Sequence, residues 1–364
     1  MNDRGDRDLG SYSTIVIGAG PAGVMAALEA SAKGTVLLAE RGGLPRNKSC
    51  GGMLNEYAQD FLARFGEIPA RLVLDPEHVR FRYVDWDRRI AKPTTLTFVN
   101  VDRAGFDEWL MSLLPDGIVV AERHELTGFE QTEERVRLTF KTPDGTASAE
   151  AEAVIGCDGA RSRTRRLLGV ASTSTYVTLQ DFVHHEGGLE PYFDCIYLRD
   201  IGDEFGYAYV VPKGSRAIVG SVFYPGTKRP WEKHDLVLEL LRNRMPALGE
   251  SLEREAAVAL SVRSPGDVVC GSGRVLLAGE AAGFMSPSSG EGISYALNTG
   301  REAGAAVARA GGREALGAYT RATAPVTANI RRKLRWLPFM ESRAGKYLAG
   351  FVPAPLVSRV TKGL

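Results

Sequence analysis

The nine residues Ile15-Val16-Ile17-Gly18-Ala19-Gly20-Pro21-Ala22-Gly23 constrain this chain most. An apolar run ends in a glycine-rich turn, and a small-residue helical pattern opens at Pro21 and runs to Lys33. A second apolar run, Thr35–Ala39, closes on Glu40, 22 residues after Gly18. G-x-G-x-x-G between a strand and a helix, with an acid closing the next strand, is the pattern of a dinucleotide site. Gly18 permits the tight turn, Gly20 lets backbone approach a pyrophosphate, and Gly23 lets the helix pack on the strand. Pro21 and Ala22 start a helix whose N-terminal N–H groups face the phosphates. Glu40, followed by Arg41, can accept hydrogen bonds from a ribose diol. NAD and FAD satisfy these residues equally.

A chain of 364 residues has room for two domains. A hydrophobic fraction of 44% and a charged fraction of 24% fit a soluble enzyme, and a net charge of +1 carries no nucleic-acid signature. Cys50, Cys157, Cys195 and Cys270 are scattered, without metal-ligand spacing or a disulfide framework. No metal site is expected, and a reducing cytoplasmic compartment fits. The polar start, Met1–Asp8, has no apolar core of a secretory signal. No apolar run approaches the roughly 20 residues that span a bilayer.

Along the chain, a helical pattern over Asn55–Phe65 precedes alternating strands over Val79–Val101 and a helix over Arg103–Leu114. Short strands follow around Ile118–Ala121, Val136–Lys141 and Ala153–Gly156. From Thr175 to Val262 strand-like segments dominate, interrupted by one helix, Asp235–Arg244. A buried strand over Arg274–Ala278 and a long small-residue helix over Gly290–Ala310 complete the pattern. The expected fold is α/β (α+β). A discontinuous Rossmann-like domain (1–75, 100–170 and 265–325) receives a β-rich substrate domain (76–99 and 171–264), and a helical cap (326–364) closes the chain.

Two further motifs decide between the nucleotides. One is Gly156-Cys157-Asp158-Gly159-Ala160-Arg161-Ser162-Arg163. The other is Ala278-Gly279-Glu280-Ala281-Ala282-Gly283, followed by Pro287 and Gly290-Glu291-Gly292-Ile293. Here the chain resembles the flavoprotein group of aromatic hydroxylases, flavin halogenases and geranylgeranyl reductases, with the three motifs in the same order. The resemblance implies FAD in a Rossmann-like domain of aromatic-hydroxylase-like architecture. It implies that Asp158, Gly159, Gly279, Glu280, Ala281 and Pro287 line the cofactor. It also implies that Gly290, Gly292 and Ile293 lead a helix N-terminus toward the flavin pyrimidine, and that Arg103 sits near the cofactor. The group carries Asp where this chain has Glu280.

The loop Pro45-Arg46-Asn47-Lys48-Ser49-Cys50-Gly51-Gly52 resembles the P-x-x-K-x-C-G-G loop of the geranylgeranyl reductase branch. The resemblance places Cys50, Gly51 and Gly52 against the flavin ring and makes Cys50 the candidate catalytic residue. With Arg46 and Lys48 nearby, Cys50 could give a proton or stand as a thiolate; a small residue in a tight turn is the plainer alternative. Gly206-Tyr207-Ala208-Tyr209-Val210-Val211-Pro212-Lys213-Gly214 is similar to a segment of the same branch's substrate domain. Tyr207 and Tyr209 alternate onto one sheet face, a candidate wall of the substrate cavity. Tyrosines stand where halogenases carry tryptophans.

The reading is therefore a reductase delivering hydride from flavin N5 to a C=C bond of an apolar, isoprenoid-like small molecule. A hydroxylase acting through a C4a-hydroperoxide and a halogenase-like tailoring flavoprotein are the alternatives. No second G-x-G-x-x-G is present, so NAD(P)H or a protein donor must bring electrons from outside. Residues 331–364 hold eight Lys/Arg (331, 332, 333, 335, 343, 346, 359 and 362) against one acid, Glu341. This segment reads as a cap whose aromatics pack on the core, with peripheral membrane contact as the second reading.

Overall fold

The computed structural model describes residues 7–46, 48–171, 173–199, 201–202, 204–349, 351–353, 355 and 364. Asn47, Arg359 and Lys362, along with the start of the polar leader, lie outside the described residues.

β1 (Arg7–Ile17), α1 (Pro21–Ala30) and β2 (Val36–Ala39) build the opening crossover. α1 stops short of Lys33, because the chain must turn through Gly34 into β2. The Cys50 loop runs directly into β3 (Met53–Asn55), and Asn55 caps α2 (Glu56–Leu62) by accepting the Ala58 N–H. β4 (Val73–Asp85) and β5 (Ile90–Val101) form a long hairpin, and Asp102 caps α3 (Arg103–Ser112) through the Gly105 N–H. Then come β6 (Val119–Ala121), β7 (Glu125–Gln131), β8 (Val136–Thr142), β9 (Gly145–Gly156) and α4 (Arg163–Leu167). β10 (Thr175–His185), β11 (Tyr192–Tyr197), β12 (Phe205–Lys213), β13 (Arg216–Phe223), α5 (Pro230–Arg242) and β14 (Leu248–Leu260) form the strand-rich stretch. β15 (Gly271–Ser272), β16 (Val275–Leu277), α6 (Ile293–Ala310), α7 (Ala315–Ala322), α8 (Ala324–Glu341) and α9 (Arg343–Ala349) follow. α6 starts at Ile293 rather than Gly290, whose φ of +67° is not helical.

The first sheet runs β15-β16-β9-β1-β2-β6, with the β7–β8 hairpin attached to β9. β16, β9, β1, β2 and β6 are parallel. Residues 15–17, 36–39, 153–156 and 275–277 of the four central strands are buried, as their continuous apolar runs require, whereas Val119 and Val120 of edge strand β6 are exposed. α1 and α6 pack on one face at backbone distance: a Cβ on Gly300 would lie 2.2 Å from the Ala22 carbonyl oxygen.

The second sheet runs β14-β10-β13-β12-β11-β4-β5-β3 and is antiparallel except for β4–β11. α5 covers one face through Val237, Leu238 and Leu241 against Leu179, Val210 and Val219. The sheet reaches past the expected bounds of 76–99: β3, β4 from Val73 and β5 to Val101 all belong to it, since β3 pairs with β5. The residues between Asn55 and Val73 thus lead out of the second sheet and back into it.

The cap also differs from expectation. α8 packs through Val326, Ile330, Lys333 and Leu337, while Trp336 and Phe339 are 58% and 47% exposed. Helical spacing puts the aliphatic stripe inward and carries the two aromatics outward. No described helix is long and apolar enough to cross a membrane.

Candidate active site

The three motifs converge at the C-terminal edge of the parallel sheet. The register aligns Ile17 with Ala39 and with Gly156, and Gly156 with Leu277. Gly18, Glu40, Cys157–Asp158 and Ala278–Gly279 therefore leave four neighbouring strands side by side, where open α/β sheets bind ligands. Gly18 has φ +98°, and a Cβ on it would lie 2.7 Å from the Cys157 carbonyl oxygen. On Gly23 a Cβ would lie 1.7 Å from the Gly18 carbonyl oxygen, so only glycine lets α1 close on the turn. Gly20 caps α1 without any side-chain hydrogen bond, which leaves the first-turn N–H groups to a ligand.

Arg46 extends over this turn. Its Nη2 would be 3.1 Å from a Cβ on Gly20 and donates to Asp107 Oδ2 at 2.8 Å, while its Nε is buried without a partner. An anion at the turn would satisfy that orphaned N–H. A cavity of about 220 Å³ opens there, lined by Ala19, Pro45, Arg46, Asp107 and Met111. Glu40 is buried beside it, accepting from the Ala19 N–H at 2.8 Å and the Gly42 N–H at 3.1 Å. An uncapped helix start, a guanidinium with an unspent donor and a buried carboxylate fit a dinucleotide. The Arg41 side chain is exposed.

Asp107 holds a second arginine: Arg103 Nε donates to Oδ1 at 3.1 Å and its Nη2 to Oδ2 at 3.2 Å. Arg103 in turn faces Cys50. Burial opposes the Cys50 thiolate, but the Arg103 guanidinium, the Gly52 N–H and Lys48 together hold the thiol below its ordinary range. Burial pushes the other buried thiols the opposite way, Cys195 up to about 12 and Cys157 up as well. Gly52, at φ +62° with room for no Cβ against the Val101 carbonyl, ties the loop to the end of β5 through the Val101 N–H. Buried Lys213, from β12, donates to the Val101 carbonyl at 3.0 Å and the Gly52 carbonyl at 3.4 Å. Burial pulls its pKa down to about 7, with Cys50 and Asp102 pulling the other way.

The remaining motif residues are placed as follows. The Asp158 carboxylate accepts from Ser162 Oγ, Arg163 N, Thr164 N and Thr164 Oγ1 at 2.6–3.1 Å, and so builds the turn into α4. Gly159 faces Glu280, whose Oε2 would be 3.9 Å from a Cβ there. Glu280 accepts from the Leu260 N–H at 2.8 Å and from Lys48 Nζ at 3.1 Å, so its carboxylate joins the Cys50 loop to the third motif. Gly279 abuts Ala22 at the start of α1. Ala281 and Pro287 are buried behind it. The start of α6 is less open than the motif suggests: Glu291 accepts the Ser294 N–H at 2.8 Å and its hydroxyl at 2.6 Å. Burial raises the Glu291 pKa.

Across from these loops lies the face of the second sheet opposite α5. Phe81, Phe193 and Tyr209 stack from β4, β11 and β12, with centroids 5.7 and 5.5 Å apart and planes within 16°. Tyr207 is tilted against Tyr209 at 6.3 Å. A Cβ on Gly51 would touch Phe193, and one on Gly290 would touch the Tyr207 hydroxyl, both at 3.8 Å. Tyr207 and Tyr209 thus share the face that meets both glycine turns, while Ala208 and Val210 join the core under α5. The Tyr209 hydroxyl donates to Gln180 Oε1 at 3.1 Å. Sequence reasoning passed over Asp107, Lys213, Phe81, Phe193, Gln180 and Glu291 as site residues. Of these, Asp107 carried a helical-spacing signal four residues after Arg103, and Lys213 and Glu291 stood inside quoted motifs, whereas Phe81, Phe193 and Gln180 carried none.

The FAD binding domain family model matches residues 11–333. The chain belongs to that FAD-binding family. It is an FAD-dependent oxidoreductase, and the sheet edge and the Cys50 loop supply residues that could hold the cofactor. Protein CbrA of Escherichia coli O9:H4 (strain HS) is 28% identical over 298 residues, 79% of each chain. Among solved structures, a geranylgeranyl bacteriochlorophyll reductase-like protein from Thermoplasma acidophilum superposes with TM-score 0.75 at 19% identity, covering 98% of this chain and 92% of its own. The p-nitrophenol 4-monooxygenase PnpA from Pseudomonas putida DLL-E4 superposes with TM-score 0.66 at 18% identity, covering 97% and 92%. Proteins named as reductase-like and as a monooxygenase thus share this fold, and the fold alone does not choose the reaction.

Proposed function

We propose that this oxidoreductase reduces a carbon–carbon double bond of an apolar, isoprenoid-like small molecule. The observation that carries the reading is Cys50: a half-buried thiol held below its ordinary range by Arg103, on a loop facing a wall of stacked aromatic rings. Reduced FAD would supply a hydride to one alkene carbon. Cys50 Sγ gives the proton that the other carbon needs, and Arg103 and the Gly52 N–H hold the thiolate left behind. Lys213 fixes the turn that carries this thiol. The aromatic face excludes water and accepts an apolar chain. The two electrons come from a nicotinamide or a protein donor, since the chain has one glycine fingerprint.

The test is turnover with a prenyl substrate and pre-reduced protein in the absence of oxygen. The expected product has gained two hydrogens, and Cys50→Ala slows its formation by about 100-fold or more. A product that forms only with oxygen and carries an added oxygen atom overturns the reading in favour of hydroxylation.

A further inference from the structure

We propose that the outer face of α8 docks onto an anionic phospholipid bilayer. Arg332, Arg335, Trp336 and Phe339 follow helical spacing on one solvent-facing stripe, with Arg331 beside it. Trp336 and Phe339 are about half exposed although both are bulky rings that a soluble helix would turn inward. Among the described residues, no carboxylate pairs with Arg331, Arg332 or Arg335. Glu341, the segment's one acid, is turned away: it pairs with Arg263 and accepts from the Tyr176 hydroxyl at 3.4 Å. Bulky rings that stop at the headgroup level, flanked by unneutralised arginines, are the chemistry that holds a helix flat on an anionic interface.

Further exposed apolar side chains follow beyond α8, with Arg88 over the rings of Tyr347 and Phe351. α9 folds directly against the end of α8, with Gly345 on the Phe339 carbonyl. Tyr347, Leu348 and Phe351 are 49%, 42% and 59% exposed. A second copy of the chain is a poorer occupant, because a two-fold contact through this stripe would set the arginines of one copy against those of the other. The inner side of the same helix reaches the cofactor loop: Lys333 Nζ donates to Ser286 Oγ at 3.1 Å and the Tyr295 hydroxyl at 3.2 Å. The docking stripe and the loop before α6 are therefore opposite sides of one helix.

The experiment is flotation of the full FAD-loaded chain with vesicles of phosphatidylcholine alone or of phosphatidylcholine mixed with phosphatidylglycerol. The chain should float with the mixed vesicles, and far less with neutral ones. Arg331→Gln with Arg332→Gln and Arg335→Gln should weaken this on the order of 100-fold. Trp336→Ser with Phe339→Ser should weaken it by about 10-fold or more. All five side chains are exposed, so unchanged melting temperatures would confirm intact folds. No flotation, equal flotation with both vesicle types, or variants that float like the parent chain would overturn the proposal. So would a dimer in sedimentation velocity that the same substitutions abolish.

Discussion

Asp107 sets the charge felt at Cys50, because one buried carboxylate is shared between Arg46 at the glycine turn and Arg103 at the thiol. Replacing either end of this chain should move the thiol in opposite directions. Arg103→Gln removes the cation that favours the thiolate, so the Cys50 alkylation midpoint should rise. Asp107→Asn frees both arginines, and the midpoint should fall. Rates of iodoacetamide labelling against pH measure both, and a midpoint that ignores both substitutions would disprove the coupling. Lys213 gives a second pH dependence. Its amine is held near 7 in the folded protein, against roughly 10.4 in an unfolded chain. Folding therefore expels a proton, and stability gained through this group is full above pH 10 and is lost as pH falls through 7. Urea unfolding should show the parent chain gaining on Lys213→Met between pH 7 and 10, by up to on the order of 4 kcal/mol; parallel curves would refute this. At this scale the sequence exposed the residues with a local signature, such as Gly18, Glu40 and Cys50. It hid Lys213 and Phe193, whose roles come from pairings across more than a hundred residues.

Among elements, the contact between α1 and α6 positions the glycine turn. Gly300 and Gly304 lie on one side of α6, and a Cβ on either would lie 2.2–2.3 Å from the backbone carbonyl of Ala22 or Ala26. Gly300→Ala should cost about 2–3 kcal/mol in urea unfolding, the penalty of forcing a packed contact apart. On the proposed binding of FAD at the glycine turn it should weaken FAD binding as well, because Ala22 stands in the first turn of α1. Full stability with unchanged FAD titration would remove the argument. The parallel strands were legible as short apolar runs bounded by glycine. β3 was not, because three residues carry no period, and its place in the second sheet is set by pairing with β5. β7 was missed as well: its strand residues, Glu125–Gln131, are largely polar and half exposed. The cap aromatics were misjudged because composition alone does not say which side of a helix a ring occupies.

Over the whole molecule, the Cys50 loop is the seam between the two sheets: Arg46 stands over the glycine turn, Glu280 grips Lys48, and Gly52 and Lys213 tie the loop to the second sheet. Loading FAD should therefore slow amide exchange over residues 44–55, including β3, and not only along α1. Protection confined to the first sheet would show the seam to be uncoupled. The overall architecture was visible in the order of the three motifs, whereas this seam arises only when the chain folds back on itself. The aromatic wall has one more consequence. Phe81, Phe193 and Tyr209 come from three different strands, and none of them comes from a strand of the cofactor sheet. The wall can thus be recut one ring at a time while the flavin-holding residues stay as they are. A library randomised at positions 81, 193 and 209 could be screened by eye for yellow, flavin-loaded protein. Changes in what such variants accept would then be inherited separately from the chemistry they perform.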